Sequence, residues 1–150
     1  MVESIQEKPQ QQSKEELHTQ IQDTVLKFYS SSPLFSKYSK DASSWTVLAA
    51  FVAELPEKIE IISLATGTKS IGKSKMCKEG LILNDLHAEV LARRSLLLSL
   101  YKEMQWMAEE SQENSCLMLK RNESGKFSLR NDVKLHLYVT EPPCGDASML

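Results

Sequence analysis

The stretch Leu83 to Arg94, LNDLHAEVLARR, constrains this chain more than any other. It sets a histidine, a carboxylate two residues later and two adjacent arginines at the head of an apolar run that reaches Met107. Over residues 86–107, Val90, Leu91, Leu97, Leu98, Tyr101 and Met104 leave little polar face. The run therefore reads as one long, largely buried helix. Asn84 or Asp85 can cap its first turn. Such a helix needs further layers to cover it.

The flanking segments supply them. Residues 45–55 (WTVLAAFVAEL) read as a strand that Pro56 ends, and residues 58–66 (KIEIISLAT) as a second. A turn through Pro56-Glu57 pairs the two as a hairpin. Upstream, Leu17, Ile21, Val25 and Phe28 recur at helical spacing over residues 15–29, and Ser30-Ser31-Ser32-Pro33 stops that helix. Residues 1–13 are rich in Gln, Glu and Ser and are expected to be disordered, which leaves 14–150 as the folded part. Downstream, a short apolar piece at 117–119 precedes a turn at Asn122-Glu123-Ser124-Gly125, and residues 133–140 (VKLHLYVT) alternate as a strand. Pro142-Pro143 ends it, and Pro143 suits the first position of a new helix. This order predicts an α/β three-layer sandwich with a mixed sheet, the helices from Leu86 and Pro143 both starting at one end of it.

Charge excludes a global nucleic-acid signal, because the formal net charge is −2. A local one exists: from Lys58 to Gly80 five lysines stand against Glu60 and Glu79. That stretch is either a solvated loop or a phosphate-contacting rim. It is no Walker loop, since no Gly-Lys-Ser/Thr closes a correctly spaced glycine pair. Three widely spaced cysteines and a polar N-terminus argue for a reducing, intracellular compartment and against a disulfide framework. No apolar run approaches the length of a membrane span.

The chemistry concentrates at His87, Glu89 and Cys144. In mid-helix a spacing of two sends side chains to opposite faces. His87 and Glu89 can converge only at the helix's N-terminal end. Cys144, after Pro-Pro at a helix start, sits where the dipole and unpaired amides favour the thiolate, the form that binds zinc. Cys77 and Cys116 read as buried small hydrophobes, and His18 and His136 as ordinary surface or packing residues. His-x-Glu followed by Pro-Cys is the zinc deaminase pattern. Its compact form has a second cysteine three residues after the first, a position held here by Ala147.

With Thr66-Gly67-Thr68-Lys69, Arg93-Arg94-Ser95 and Pro143-Cys144-Gly145-Asp146-Ala147-Ser148, these motifs resemble the adenosine-to-inosine deaminase domain shared by adenosine deaminases acting on RNA and the tRNA-specific adenosine deaminase 1 family. Ile71-Gly72-Lys73-Ser74-Lys75-Met76 looks like the tRNA branch. The resemblance runs from about Leu17 to the end and implies a cytidine-deaminase-like fold. It implies His87 and Cys144 as zinc ligands, Glu89 as proton shuttle, Val47 and Thr68 beside a flipped-out adenosine, and Lys69 near the RNA backbone. It also implies a buried inositol hexakisphosphate contacted by Asn84, Arg93 and Arg94. A pair of carboxylates is the other way to satisfy two guanidiniums in an apolar helix. The implied reaction is zinc-dependent hydrolytic deamination of adenosine to inosine in tRNA, at adenosine 37 beside the anticodon of alanine tRNA. The expected partner is tRNA, with no DNA and no membrane, in nucleus or cytoplasm. In this family the second cysteine ligand lies far downstream of the first. The chain is therefore expected to be the N-terminal part of the domain, incomplete at its C-terminus, with a truncated, catalytically inactive product as the alternative.

Overall fold

The computed structural model describes residues 8–35, 46–109 and 116–144, and the chain divides into two compact units, Met1–Ser44 and Trp45–Leu150. The first unit carries helix α1 (Lys8–Ser31). It begins upstream of the expected Glu15: the Gln and Lys of residues 8–14 are good helix formers, and Pro9 falls in the first turn, where its missing N–H breaks no bond. Of residues 1–13, expected to be disordered, 8–13 are helical and 1–7 lie outside the described residues. At the other end the Ser30 and Ser31 hydroxyls donate back to the carbonyls of Lys27 and Phe28, at 3.0 and 3.4 Å. That competition with the backbone, followed by Pro33, ends the helix.

The second unit contains β1 (Leu48–Glu54), β2 (Ile59–Thr66), β3 (Thr68–Ser70), β4 (Asp85–His87), α2 (Ala88–Glu109), β5 (Leu119–Arg121), β6 (Phe127–Leu129) and β7 (Lys134–Val139). A three-stranded sheet runs β2-β1-β7, and β3-β4 and β5-β6 form two small pairs. The chain is α/β, as expected. All pairings among the described strands are antiparallel, so the parallel pair of a mixed sheet does not occur among them. The hairpin through Pro56-Glu57 is present, closed by the Leu55 N–H donating to the Lys58 carbonyl at 2.9 Å. The β1–β2 register shifts once, between Phe51 and Val52. This bulge leaves Ile62 without an opposite residue, and Ile62 packs into the core with Phe51 and Leu135.

Helix α2 lies across this sheet on one stripe only: Ala88, Ala92, Leu96, Glu103 and Met107 are buried. Ala88, Ala92 and Ala49 are fully covered, so small side chains let helix and sheet approach closely. The buried Ser63 hydroxyl donates to the Ala92 carbonyl at 2.9 Å and ties β2 to the helix. The expected all-round burial is thus corrected. Leu98, Tyr101 and Trp106 are more than half exposed, because a helix on one sheet face covers a single stripe.

Near its end α2 carries a buried carboxylate, Glu103, that nothing in the sequence distinguished. Its Oε1 accepts the amides of Leu117 and Met118, both at 3.2 Å, and its Oε2 those of Met118 and Leu119, at 3.1 and 2.9 Å. This clamp sets where the chain re-enters as β5. Glu103→Ala leaves three amides without partners and should lower stability by about 3 kcal/mol, a fall in Tm of about 10 °C for a chain of this size. Glu103→Gln keeps one acceptor oxygen and should lose roughly half as much. Thermal unfolding followed by circular dichroism checks both, and an unchanged Tm in the alanine variant would remove the clamp from the account.

Candidate metal centre and its pocket

The centre is built where strand turns into helix. Strand β3 pairs with β4 so that Thr68 lies opposite His87, and α2 starts at the next residue. His87 is thus the last strand residue and Glu89 lies in the first helical turn. The change of backbone between them lets side chains two apart converge. His87 thus closes a strand rather than lying in the helix expected over 86–107, and 68–70 pair as a strand where a loop is expected; three-residue strands carry no alternation to see.

Gly67 holds this junction together. It donates to the Val47 carbonyl at 3.2 Å, and its own carbonyl accepts the Ala88 N–H at 3.1 Å. A Cβ added there would stand 2.0 Å from the Leu86 carbonyl oxygen. At the other wall, Thr140 binds the start of β1 twice: its N–H donates to the Leu48 carbonyl and its hydroxyl accepts the Leu48 N–H, both at 3.0 Å. The segment Glu141 to Cys144 leaves from that anchor.

Asp85 fixes the imidazole. Its Oδ1 accepts the His87 N–H at 3.0 Å and lies 3.0 Å from Nδ1. With Nδ1–H donating there, Nε2 is left as the free lone pair, and it faces the Cys144 Sγ at 3.8 Å. Ligand atoms of His87, Glu89 and Cys144 all lie within 4.8 Å of one another. A tetrahedral zinc with ordinary Zn–N and Zn–S bonds sets such a nitrogen and sulfur about 3.6 Å apart. The donor set therefore fits zinc in both type and spacing. Asp85→Asn should weaken zinc binding about 10- to 100-fold, measured by competition with a chromogenic chelator; unchanged affinity would deny Asp85 its orienting role.

The cluster opens into a cavity of about 290 Å³. Val47 and Thr68 line it, as expected, with Gly67 beside them. The opposing segment contributes Pro142, Pro143 and Glu141, and Glu141 carries no signal in the sequence. Lys69 pairs with Leu86 in the β3–β4 ladder. The helix expected from Pro143 onward falls on residues 145–150, outside the described residues.

The other expected ligand group is divided. Asn84 has its side-chain amide engaged: Oδ1 accepts the Cys77 N–H at 3.1 Å and Nδ2 donates to the Cys77 carbonyl at 2.9 Å. Arg93 and Arg94 are exposed, not buried in an apolar interior. Ala88, Ala92 and Leu96 take the sheet-facing stripe, so the two residues after Ala92 turn outward. Among the described residues no hydrogen bond or ion pair engages either arginine, so the alternative of a carboxylate pair is not met among them. Arg94 lines a wider cavity, of about 720 Å³, with Asn84, Asp85 and Lys78.

The remaining cysteines and His136 are structural. Cys116 is buried, and burial pushes its thiol up. Cys77 is only half-buried, a departure from expectation, and the backbone amides of Leu81 and then Glu79 hold its thiol below the ordinary range. His136 Nε2 lies 2.8 Å from Glu54, whose carboxyl is held below its usual value by Lys134 first and His136 second.

The chain is 40% identical over 133 residues to tRNA-specific adenosine deaminase 1 of Drosophila melanogaster, covering 87% of this chain and 31% of that protein. It is 40% identical over 120 residues to tRNA-specific adenosine deaminase 1 of Homo sapiens, covering 71% of this chain and 24% of that one. Double-stranded RNA-specific editase B2 of Mus musculus is 37% identical over 93 residues, 61% of this chain and 12% of the editase. The chain thus spans less than a third of the length of these curated relatives. The adenosine-deaminase (editase) domain family matches residues 63–150, more than half of the chain and the whole of the strand-to-helix junction and its cysteine, and the chain belongs to that family.

Proposed function

We propose that this chain carries the zinc-binding half of a hydrolytic deaminase that converts adenosine to inosine in tRNA, at adenosine 37 on the 3′ side of the anticodon of alanine tRNA. One observation carries the reading: His87 Nε2, Cys144 Sγ and the Glu89 carboxylate meet in one pocket. Two relatives that match most of this chain bear the name tRNA-specific adenosine deaminase 1, which favours tRNA over other RNA. A base in a single-stranded loop also leaves its stack more cheaply than one in a duplex.

His87 and Cys144 are the residues that would hold zinc. The metal would supply the Lewis acidity that makes water nucleophilic near neutral pH. Glu89 takes one proton from the attacking water and gives it to N1 of the adenine, then carries the second from the new C6 hydroxyl to the departing amino group. Water adds at C6, ammonia leaves, and inosine remains. Val47 packs against the base and Thr68 walls its other side, while Lys69 meets the RNA backbone. Asp85 keeps the imidazole turned to the metal. Asn84, Arg93 and Arg94 belong in this reading to an inositol hexakisphosphate. That assignment rests on the family resemblance. Three free thiols suit a reducing compartment, nucleus or cytoplasm.

The test is zinc loading of the chain followed by incubation with alanine tRNA and detection of inosine by mass spectrometry of the nucleosides. Inosine at that one adenosine is expected. Stoichiometric zinc with no inosine in any tRNA would overturn the reading and leave a metal-binding product without turnover.

A further inference from the structure

We propose that the outward stripe of α2 is the contact surface for a second copy of this chain, the two helices packing antiparallel about a twofold axis. The proposal stands apart from the deaminase reading. Leu91, Arg94, Leu98, Tyr101, Gln105 and Glu109 recur at steps of three and four residues, on the side of α2 opposite the buried Leu96 and Glu103. Leu98 is 56% exposed and Tyr101 62%, whereas Leu96, which faces the sheet, is 8% exposed. Trp106, 61% exposed, flanks them. An apolar patch of this kind, rimmed by charge, marks an interaction site.

Charge identifies the occupant. Arg94 lies at one end of the stripe and Glu109 at the other, about 22 Å apart along the helix. Among the described residues no hydrogen bond or ion pair engages Arg94, and Gln105 donates to only one oxygen of Glu109, at 2.7 Å. A patch with a cation at one end and a carboxylate at the other is complementary to itself when turned end for end, as a twofold pair requires. With the axis midway between Tyr101 and Lys102, Arg94 of each copy meets Glu109 of the other, Leu98 meets Gln105, and the two Tyr101 rings meet beside the axis. Lys102 falls at the rim, where its long stem keeps the ammonium in water. A parallel pair would set Arg94 against Arg94. The net charge of −2 per chain opposes the pairing little. The stripe is also pre-formed: the Ser63 hydroxyl on the Ala92 carbonyl and the Glu103 clamp on residues 117–119 hold α2 along its length.

Sedimentation equilibrium of the full chain over a concentration series gives the dissociation constant of the pair. Inositol phosphates are left out, because Arg94 cannot hold a phosphate and Glu109 of a second copy at once. One helix on one helix is a small interface, so a micromolar constant is expected. Arg94→Glu sets two carboxylates together at each end and should weaken the pair at least about tenfold. Adding Glu109→Arg to it restores opposite charges and should bring the constant back to within about threefold of wild type. Leu98→Ala removes apolar area from both copies and should weaken the pair about tenfold. All three positions are exposed, and circular dichroism equal to wild type shows that the variants are folded. A chain that stays monomeric at every concentration leaves the stripe to another partner and overturns the proposal. So does Arg94→Glu pairing as tightly as wild type, or a double variant as weak as Arg94→Glu alone.

Discussion

In the zinc-loaded chain, Glu89→Ala should keep its metal and lose about 100- to 10,000-fold in inosine formation. The two outcomes belong together. His87 and Cys144 present the nitrogen and sulfur that zinc favours, at a spacing close to that of a tetrahedral site. Glu89 lies beside them on the first turn of α2. An ionised carboxylate there can take a proton from water and give it up again. Glu89→Gln preserves shape but cannot take the proton, so it should fall as far as the alanine variant. Zinc measured by mass spectrometry beside the rate of inosine formation separates the roles. Loss of zinc in step with activity would make Glu89 a ligand, and retained activity would remove it from proton transfer.

Gly67→Ala should destabilise the chain by about 4 kcal/mol or more, among the largest effects a single methyl group produces. The added carbon would stand 2.0 Å from the Leu86 carbonyl oxygen, a backbone atom inside the β3–β4 pair that cannot swing aside as a side chain would. Relief requires the turn to move, and with it the hydrogen bonds from Gly67 to Val47 and from Ala88 to Gly67. Those bonds place Val47, His87 and the start of α2 around one cavity. The variant should therefore unfold at least about 10 °C lower and bind zinc weakly even where it is folded. Thermal unfolding with and without zinc provides the measurement. A Tm within about 2 °C of wild type would show that the junction yields more easily than its geometry indicates.

Where the pattern of residues was long enough to carry a period, the fold was legible. The strands at Leu48–Glu54, Ile59–Thr66 and Lys134–Val139, the hairpin at Pro56-Glu57 and the long helix all follow from apolar runs bounded by proline and glycine. Two kinds of feature were hidden. Strands β3 and β4 are too short to alternate, so His87 was read as helical when it closes a strand. The exposure of Arg93 and Arg94 depends on which stripe of α2 meets the sheet. Ala88, Ala92 and Ser63 decide that stripe, and they are small residues that hydropathy underrates. The site was legible as residue types, because histidine, glutamate and cysteine in that order already name a chemistry. Its partners were not. Asp85 read as a helix cap and proves to hold the imidazole, while Glu141 and Glu103 carry no signal apart from the cavity and the buried amides they meet.

Zinc per chain, measured in purified wild-type protein and in His87→Ala and Cys144→Ser after identical loading and dialysis, tests the centre most directly. The account predicts close to one zinc in the wild type and close to none in either variant, with the circular dichroism of all three alike. Equal zinc in all three proteins, or none in the wild type, would contradict it.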